Sequence, residues 1–105
     1  MNPPELPSAQ TLRQGALAAA ATLRVLANQD RLLLLCQLSQ GEKSVSELQS
    51  LLDLQQPSLS QQLGVLRQEN LVSTRRDGKQ IYYRISDGRV LTLLETLYTL
   101  YCPAD

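Results

Sequence analysis

Hydrophobic residues recur at helical spacing along most of the chain, and the period changes near Leu71. The helical pattern predicts five helices, over residues 11–25, 29–40, 44–53, 57–66 and 87–102. Between the fourth and the fifth, apolar and polar positions alternate on either side of Asp77-Gly78, which is a strong signal for a two-residue hairpin turn. The pattern therefore predicts a mainly α fold with one small β-hairpin.

The stretch 44–66 predicts two short helices joined by a tight turn. Ser44 and Glu47 have the spacing of a capping box at the start of the first helix, and Pro57 suits the first position of the second. Leucines occupy one side of the second helix, whereas its opposite side is polar and uncharged. We interpret it as a recognition helix, because such a side can enter the major groove without repelling phosphates, and its Ser and Gln side chains can bond to base edges. The candidates for base contacts are Gln56, Ser58, Ser60 and Gln61.

Cationic side chains cluster near the predicted hairpin, although the net charge of the chain is zero. Between residues 67 and 84, five Lys and Arg residues stand against two acidic residues. A helix-turn-helix followed at once by a basic hairpin is typical of a winged helix, whose wing reaches the DNA backbone. We predict that Arg75, Arg76 and Lys79 contact phosphates. The alternative is a charged hairpin that is merely solvated.

The predicted last helix carries more apolar surface than one hydrophobic core needs. Its clearly polar positions are Thr92, Glu95, Thr96 and Thr99. The surplus suggests a partner helix from a second subunit, and the alanine-rich helix 11–25 has the small residues that let another helix approach closely. An alanine-rich sequence is also simply a good helix former. We expect a homodimer through the first and last helices, with two recognition helices about 34 Å apart on a near-palindromic duplex.

Composition narrows the function classes. The 105 residues suit a single domain, residues 1–105, and three prolines predict a loose N-terminal arm over residues 1–8. The apolar runs are too short to cross a bilayer and the N-terminus lacks the features of a signal peptide, so we expect a cytoplasmic protein with no membrane partner. Without histidine, carboxylates and two cysteines form a poor set of zinc ligands, and we expect neither a metal nor a cofactor.

Two cysteines, Cys36 and Cys102, are the remaining candidates for chemistry. Each one taken alone is more often a buried apolar residue than a reactive one. In a reducing compartment, a pair of cysteines is more often redox-active, metal-binding or buried than a permanent disulfide. Sensing requires a thiolate, so at least one of the two thiols should be partly exposed or near positive charge.

Three segments of the chain resemble the ArsR family of small dimeric winged-helix repressors, and together they cover nearly the whole chain. They are LRVLANQDRLLLLCQLSQGEKSVSEL, LDLQQPSLSQQLGVLRQENLV and RRDGKQIYYRI. Within that family, Cys36 in RLLLLCQL and Cys102 in LYTLYCPAD resemble the branch of BigR, SqrR and HlyU, whose paired cysteines sense reactive sulfur species or oxidants. The resemblance implies five helices and a two-stranded wing, with dimerisation through the first and last helices. Gln62 departs from the family, in which this position is often histidine.

The resemblance also implies a function. We expect a DNA-binding repressor that loses affinity for its operator when Cys36 and Cys102 are oxidised or persulfidated. An antirepressor, which activates genes by displacing another DNA-binding protein, is an alternative within the same branch. A thiol oxidoreductase or sulfur carrier is a more remote alternative, because the chain has no histidine and no C-x-x-C pair. Metal sensors of the family carry cysteines where this chain has Ser44 and Ser46, or histidines in the last helix, so metal sensing is not expected.

Overall fold

The computed structural model describes residues 5–103, and within them the chain forms five helices and three short strands. In chain order they are α1 (Ala9–Leu26), α2 (Gln29–Leu38), β1 (Lys43–Ser44), α3 (Val45–Leu52), α4 (Gln56–Gln68), β2 (Val72–Asp77), β3 (Gln80–Ile85) and α5 (Gly88–Tyr101). The fold is a winged helix-turn-helix, as the sequence predicted, with α3 and α4 as the helix pair and β2–β3 as the wing. Half of the predicted arm, residues 1–4, lies outside the described residues, and residues 5–7 are exposed without regular structure.

Side-chain caps fix where most of the helices begin. Asn28 accepts a hydrogen bond of 3.0 Å from the Arg31 N–H at the start of α2. The predicted capping box is present at α3, where the Ser44 hydroxyl accepts from the Glu47 N–H at 3.2 Å and Glu47 accepts from the Ser44 N–H at 3.0 Å. Helix α4 is different, because its cap residue Gln55 makes no side-chain bond and the helix begins one residue before Pro57. Local capping thus accounts for the predicted helix starts to within a residue or two.

The sheet has three strands in the order β1-β3-β2, one more than the two-stranded wing that the sequence predicted. The extra strand arises because a helix N-cap adopts an extended backbone. Ser44, with φ −79° and ψ 163°, lies opposite Tyr82 in β3, and Lys43 lies opposite Tyr83. The two residues before α3 therefore attach the wing to the helix pair.

The wing hairpin turns one residue later than Asp77-Gly78. Asp77 pairs with Gln80, so the two-residue loop is Gly78-Lys79. Gly78 takes a φ of 63°, a conformation that glycine adopts without steric cost and that a type II′ loop requires at its first position. Lys79 consequently stands at the tip of the wing rather than at the start of the returning strand.

Helix α2 lies at the centre of the hydrophobic core, where it contacts α1, α3, α4 and β3. The side chains that are fully removed from solvent are Leu34, Leu35, Leu48, Leu59, Leu63, Leu66 and Val90. Helix α1 joins this core only through Val25 and Leu26, whereas the predicted inward residues Leu12 and Leu23 are exposed. No helix in residues 5–103 has both the length and the apolar character that a membrane span needs.

Candidate nucleic-acid interface and thiol pair

Helix α4 turns its leucines inward and an uncharged polar side outward. Three of the four predicted base-contacting residues, Gln56, Ser60 and Gln61, have exposed side chains. Ser58 is only half-buried, and its hydroxyl donates a hydrogen bond of 3.3 Å to Asp30 in the first turn of α2. The outward side of α4 therefore presents amide and hydroxyl groups, while Ser58 connects the helix to its neighbour.

A second contact between α2 and α4 involves Arg31 and Gln62, two residues that the sequence did not single out. The Arg31 guanidinium donates to the Gln62 side-chain oxygen at 2.9 Å. It also donates to the main-chain oxygens of Val25 at 2.6 Å and Arg24 at 3.4 Å. Arg31 and Gln62 are 31 residues apart, so no local spacing in the sequence signals this contact.

On the wing, the charge of Arg75 is already compensated within the chain. Its Nε and Nη2 atoms donate to the carboxylate of Glu42 at distances from 2.6 to 2.9 Å. The guanidinium also lies over the ring of Tyr82, 4.5 Å from its centroid. These hydrogen bonds from Arg75 are the main reason that the pKa of Glu42 is lowered from its ordinary value. The arrangement joins the loop before β1 to the base of the wing.

Arg76 and Lys79, the other two predicted phosphate contacts, are exposed, and in the described part of the chain neither forms an ion pair. Arg84 adds a third exposed cation, and its Nε donates to the Ser73 hydroxyl at 3.2 Å. Because side chains alternate along a strand, Arg76 lies on the opposite face of the hairpin from Arg75 and Arg84. Positive charge is thus available at the tip of the wing and on both of its faces.

Both cysteines are reduced and exposed. Cys36 lines a groove of about 620 Å³ between the end of α2 and helix α5, and Cys102 is the residue on which α5 ends. Partial burial raises the pKa of Cys36, and the proximity of Cys102 raises it further. The two thiols therefore lie on the same side of the molecule and close enough to influence each other. The groove has no Lys or Arg in its lining, so nothing there favours the Cys36 thiolate.

The described residues contain no cluster of three His, Cys, Asp or Glu side chains that could hold a metal ion. The other residues that line the groove beside Cys36 are Gln37, Ser39, Gln40, Leu91, Leu94, Glu95, Tyr98 and Thr99. This lining offers one thiol and several neutral hydrogen-bonding groups, which suits thiol chemistry on Cys36 better than the binding of an anionic cofactor.

Comparison with known proteins shows similarity along almost the full chain. Residues 28–74 match the family described as bacterial regulatory protein, arsR family. The chain is 48% identical to the biofilm growth-associated repressor of Agrobacterium fabrum over 94 residues, which cover 90% of this chain and 80% of that protein. It is 40% identical to the transcriptional activator HlyU of Vibrio cholerae over 96 residues, which cover 91% of this chain and 89% of that protein.

Solved structures give the same picture. The transcriptional repressor BigR from Xylella fastidiosa superposes with a TM-score of 0.86 at 41% identity, and the match covers 93% of this chain and 100% of that one. A homodimeric winged helix-turn-helix DNA-binding domain from Mycobacterium bovis, described as a possible ArsR-family transcriptional regulator, superposes with a TM-score of 0.72 at 32% identity. That match covers 84% of this chain and 83% of the other.

Proposed function

This chain belongs to the ArsR family of bacterial regulatory proteins, and we propose that it is a dimeric transcriptional repressor whose affinity for operator DNA falls when Cys36 and Cys102 become linked. The observation that carries the DNA-binding part is the uncharged polar side of α4, exposed beside a wing with unpaired cations at its tip. A helix of this kind reads base edges, and a basic wing supplies phosphate contacts.

The proposal divides the work among the residues of the interface. Gln56, Ser60 and Gln61 read bases, because their side chains are free to hydrogen-bond outside the protein. Arg76 and Lys79 neutralise phosphates. The remaining two predicted contacts act differently in this proposal. They are Arg75, which holds the wing through Glu42, and Ser58, which orients α4 through Asp30.

Binding measurements separate these roles. Operator DNA is first selected from random duplexes with the wild-type protein, and affinities are then measured by fluorescence anisotropy at several salt concentrations. Lys79→Ala should weaken binding to all sequences alike and reduce the salt slope by about 1, while Gln61→Ala should relax the choice of base at particular positions. Gln10→Ala, a matched glutamine on α1, should change neither quantity. A wild-type protein that selects no sequence would contradict the proposal.

The dimer is supported by apolar side chains that α1 and α5 leave in solvent. They are Leu12, Leu17 and Leu23 in α1 and Leu91, Tyr98, Leu100 and Tyr101 in α5. An apolar surface of this extent on two neighbouring helices is typical of a subunit interface. A two-fold dimer through these helices would present two recognition helices to a near-palindromic operator, with half-sites about 34 Å apart.

The thiol switch is supported by the position of the two cysteines. Cys36 belongs to α2, the helix that contacts α4, and Cys102 ends α5, a helix of the proposed dimer interface. Peroxide would remove two electrons and two protons from the thiol pair, leaving one S–S bond, and a reactive sulfur species would leave a longer sulfur bridge. Either bridge ties α5 to α2 and changes the angle between subunits. A change of about 1 to 3 kcal/mol would weaken operator binding by roughly 5- to 150-fold.

Intact mass and DNA affinity, measured on the same samples, test the switch. Peroxide should lower the mass by about 2 Da, and glutathione persulfide should add units of about 32 Da. Both treatments should weaken operator binding by the wild-type protein. Cys36→Ser and Cys102→Ser should bind the operator when untreated and keep that affinity after treatment. A variant that lost one thiol but still responded fully would remove the switch from the proposal.

A second candidate is an activator that acts by displacing another DNA-binding protein. It is favoured by the 40% identity to HlyU of Vibrio cholerae, which is described as a transcriptional activator. Transcript levels in a deletion strain distinguish the two, because target transcripts rise when a repressor is lost and fall when an activator is lost. A thiol enzyme gains no such support, since the relatives are regulators of transcription.

A further inference from the structure

We propose that Arg31 is a positioning residue that fixes the recognition helix α4 relative to α1, by joining the last turn of α1 to Gln62. This inference rests on the operator binding proposed above. It concerns a residue that does not itself face the DNA, because Arg31 is half-buried where α1, α2 and α4 meet.

The first step is the attachment of Arg31 to α1. The last carbonyls of a helix have no partner within that helix. In α1 the carbonyl of Leu23 accepts from the Ala27 N–H, whereas those of Arg24 and Val25 accept from the Arg31 guanidinium. A cation at this end is also favoured by the helix dipole. Arg31 therefore caps α1 from outside and moves with it.

The second step is the attachment of Arg31 to α4. Gln62 lies between the outward residue Gln61 and the buried residue Leu63, on the flank that faces α2. The buried leucines of α4 hold the helix against the core, but apolar packing is non-directional and does not by itself fix rotation about the helix axis. The hydrogen bond to Gln62 has a preferred direction and fixes that rotation.

The third step is the absence of an alternative anchor at the start of α4. Its N-cap residue Gln55 makes no side-chain hydrogen bond. The polar side-chain contacts that α4 makes with another element, within residues 5–103, are Arg31 to Gln62 and Ser58 to Asp30, both with the first turn of α2. The Ser58 contact, at 3.3 Å and between two flexible groups, is the longer of the two. Arg31 thus holds the exposed Gln61 at a defined angle.

An arginine is required at this position by geometry. Its planar fork carries five N–H donors, so one side chain reaches the end of α1 and Gln62 simultaneously. A lysine ammonium would keep the positive charge but would serve as a single point of contact. Arg31→Lys is therefore the substitution that removes the bridge while it preserves the charge.

The experiment measures how strongly the protein distinguishes its selected operator from an unrelated duplex. Arg31→Lys and Gln62→Leu should each lower operator affinity by about 10-fold, since each removes a hydrogen bond to a charged group. The double variant should also lose about 10-fold rather than 100-fold, because both changes break the same contact. Affinity for the unrelated duplex and the salt slope should stay at the wild-type values. Gln68→Leu, an exposed glutamine on the same helix, should leave all these quantities unchanged.

Each contrary outcome has a separate meaning. A loss of affinity for all duplexes with a smaller salt slope would make Arg31 a direct phosphate contact and overturn the proposal. Unchanged operator affinity, or losses that multiply in the double variant, would also overturn it. Binding is measured below the melting temperature of each variant, and Gln62→Leu, at a half-buried flank, provides the test if Arg31→Lys does not fold. The NMR signal of the Arg31 Nε–H group reports the bridge itself: it should shift in Gln62→Leu even if the wild-type protein selects no operator, which would separate the two failures.

Discussion

The body formed by α2, α3, α4 and the wing buries its leucines, whereas α1 and α5 leave many of theirs in solvent. Leu34 and Leu48 in the body are 0% exposed, while Leu17 in α1 and Leu100 in α5 are 73% and 69% exposed. The polar groups of the described residues show no comparable deficit, because every buried side-chain N or O atom among them has a hydrogen-bond partner. The body therefore satisfies itself, and the two outer helices need an additional surface to cover them.

This contrast separates two sources of stability. Packing in the body is internal to one chain, so its contribution does not depend on protein concentration. Cover for α1 and α5 comes from a second copy in the proposed dimer, and that contribution grows with concentration by mass action. Substitutions that behave differently in the two regions can break or sharpen this distinction.

The largest expected effect is the truncation of a buried leucine in the body. Leu48→Ala should lower the free energy of unfolding by about 2–5 kcal/mol, because it removes buried apolar contacts and leaves a cavity. Leu51→Ala, on the same helix but exposed, should change it by no more than about 0.5 kcal/mol. Urea denaturation at one fixed protein concentration measures both values. Similar losses in the two variants would mean that α3 is not held by its buried face.

The next effect concerns the outer helices. Leu100→Asp should raise the dimer dissociation constant by about 30-fold or more, which corresponds to about 2 kcal/mol, because it buries a charge in an apolar interface. Leu51→Asp, which changes an exposed leucine of the body in the same way, should leave the dimer intact. Sedimentation over a range of concentrations gives both constants. Were both variants to dimerise like the wild type, α5 would not belong to the interface.

A smaller effect is expected at the start of α3. Ser44→Ala should cost about 1 kcal/mol, because the Glu47 N–H loses its partner and the buried hydroxyl contributes to the capping box. Ser46→Ala, two residues later and exposed, should be close to neutral. Thermal unfolding of the two variants at equal concentration provides the comparison. Equal melting temperatures would show that the cap is not needed once α3 is packed.

These cases also show which parts of the molecule the sequence predicts. Caps and turns depend on residues within four positions of each other, so the capping box, Asn28 and the hairpin glycine were legible from the sequence. The helix-turn-helix and the wing followed from hydrophobic periodicity and from the change of period at Leu71. For the same reason, the outward side of α4 could be predicted, with three of its four candidates exposed.

The remaining features depend on contacts between distant parts of the chain. Glu42 and Arg75 are 33 residues apart, and neither residue type nor local spacing indicates that they pair. The sequence therefore counted Arg75 as a free cation, although the structure commits it to Glu42 and Tyr82. The third strand and the Arg31 bridge escaped prediction for the same physical reason. Such contacts form only after helices that are specified locally have packed together.

The smallest expected effect is a pH dependence at the attachment of the wing. Hydrogen bonds from Arg75 lower the pKa of Glu42 below its ordinary value of 4.5. The stabilisation is therefore complete above pH of about 4.5 and is lost as pH falls through the lower pKa of the folded state. The effect should be small, because the pair is exposed and screened by salt. In NMR spectra recorded from pH 7 to pH 3, the ring signals of Tyr82 should shift as Glu42 is protonated, since the guanidinium above the ring loses its partner.

Two variants decide whether that shift reports the pair. Glu42→Gln should remove most of the acid-induced change at Tyr82, because the remaining amide does not titrate. Glu47→Gln is the matched control: the pKa of Glu47 is also lowered, by its hydrogen bonds with Ser44, but these lie at the start of α3. It should leave the Tyr82 shift in place while altering the acid response of α3. If Tyr82 titrates identically in Glu42→Gln and in the wild type, Arg75 is not held by Glu42 in solution, and its charge is available to DNA together with those of Arg76 and Lys79.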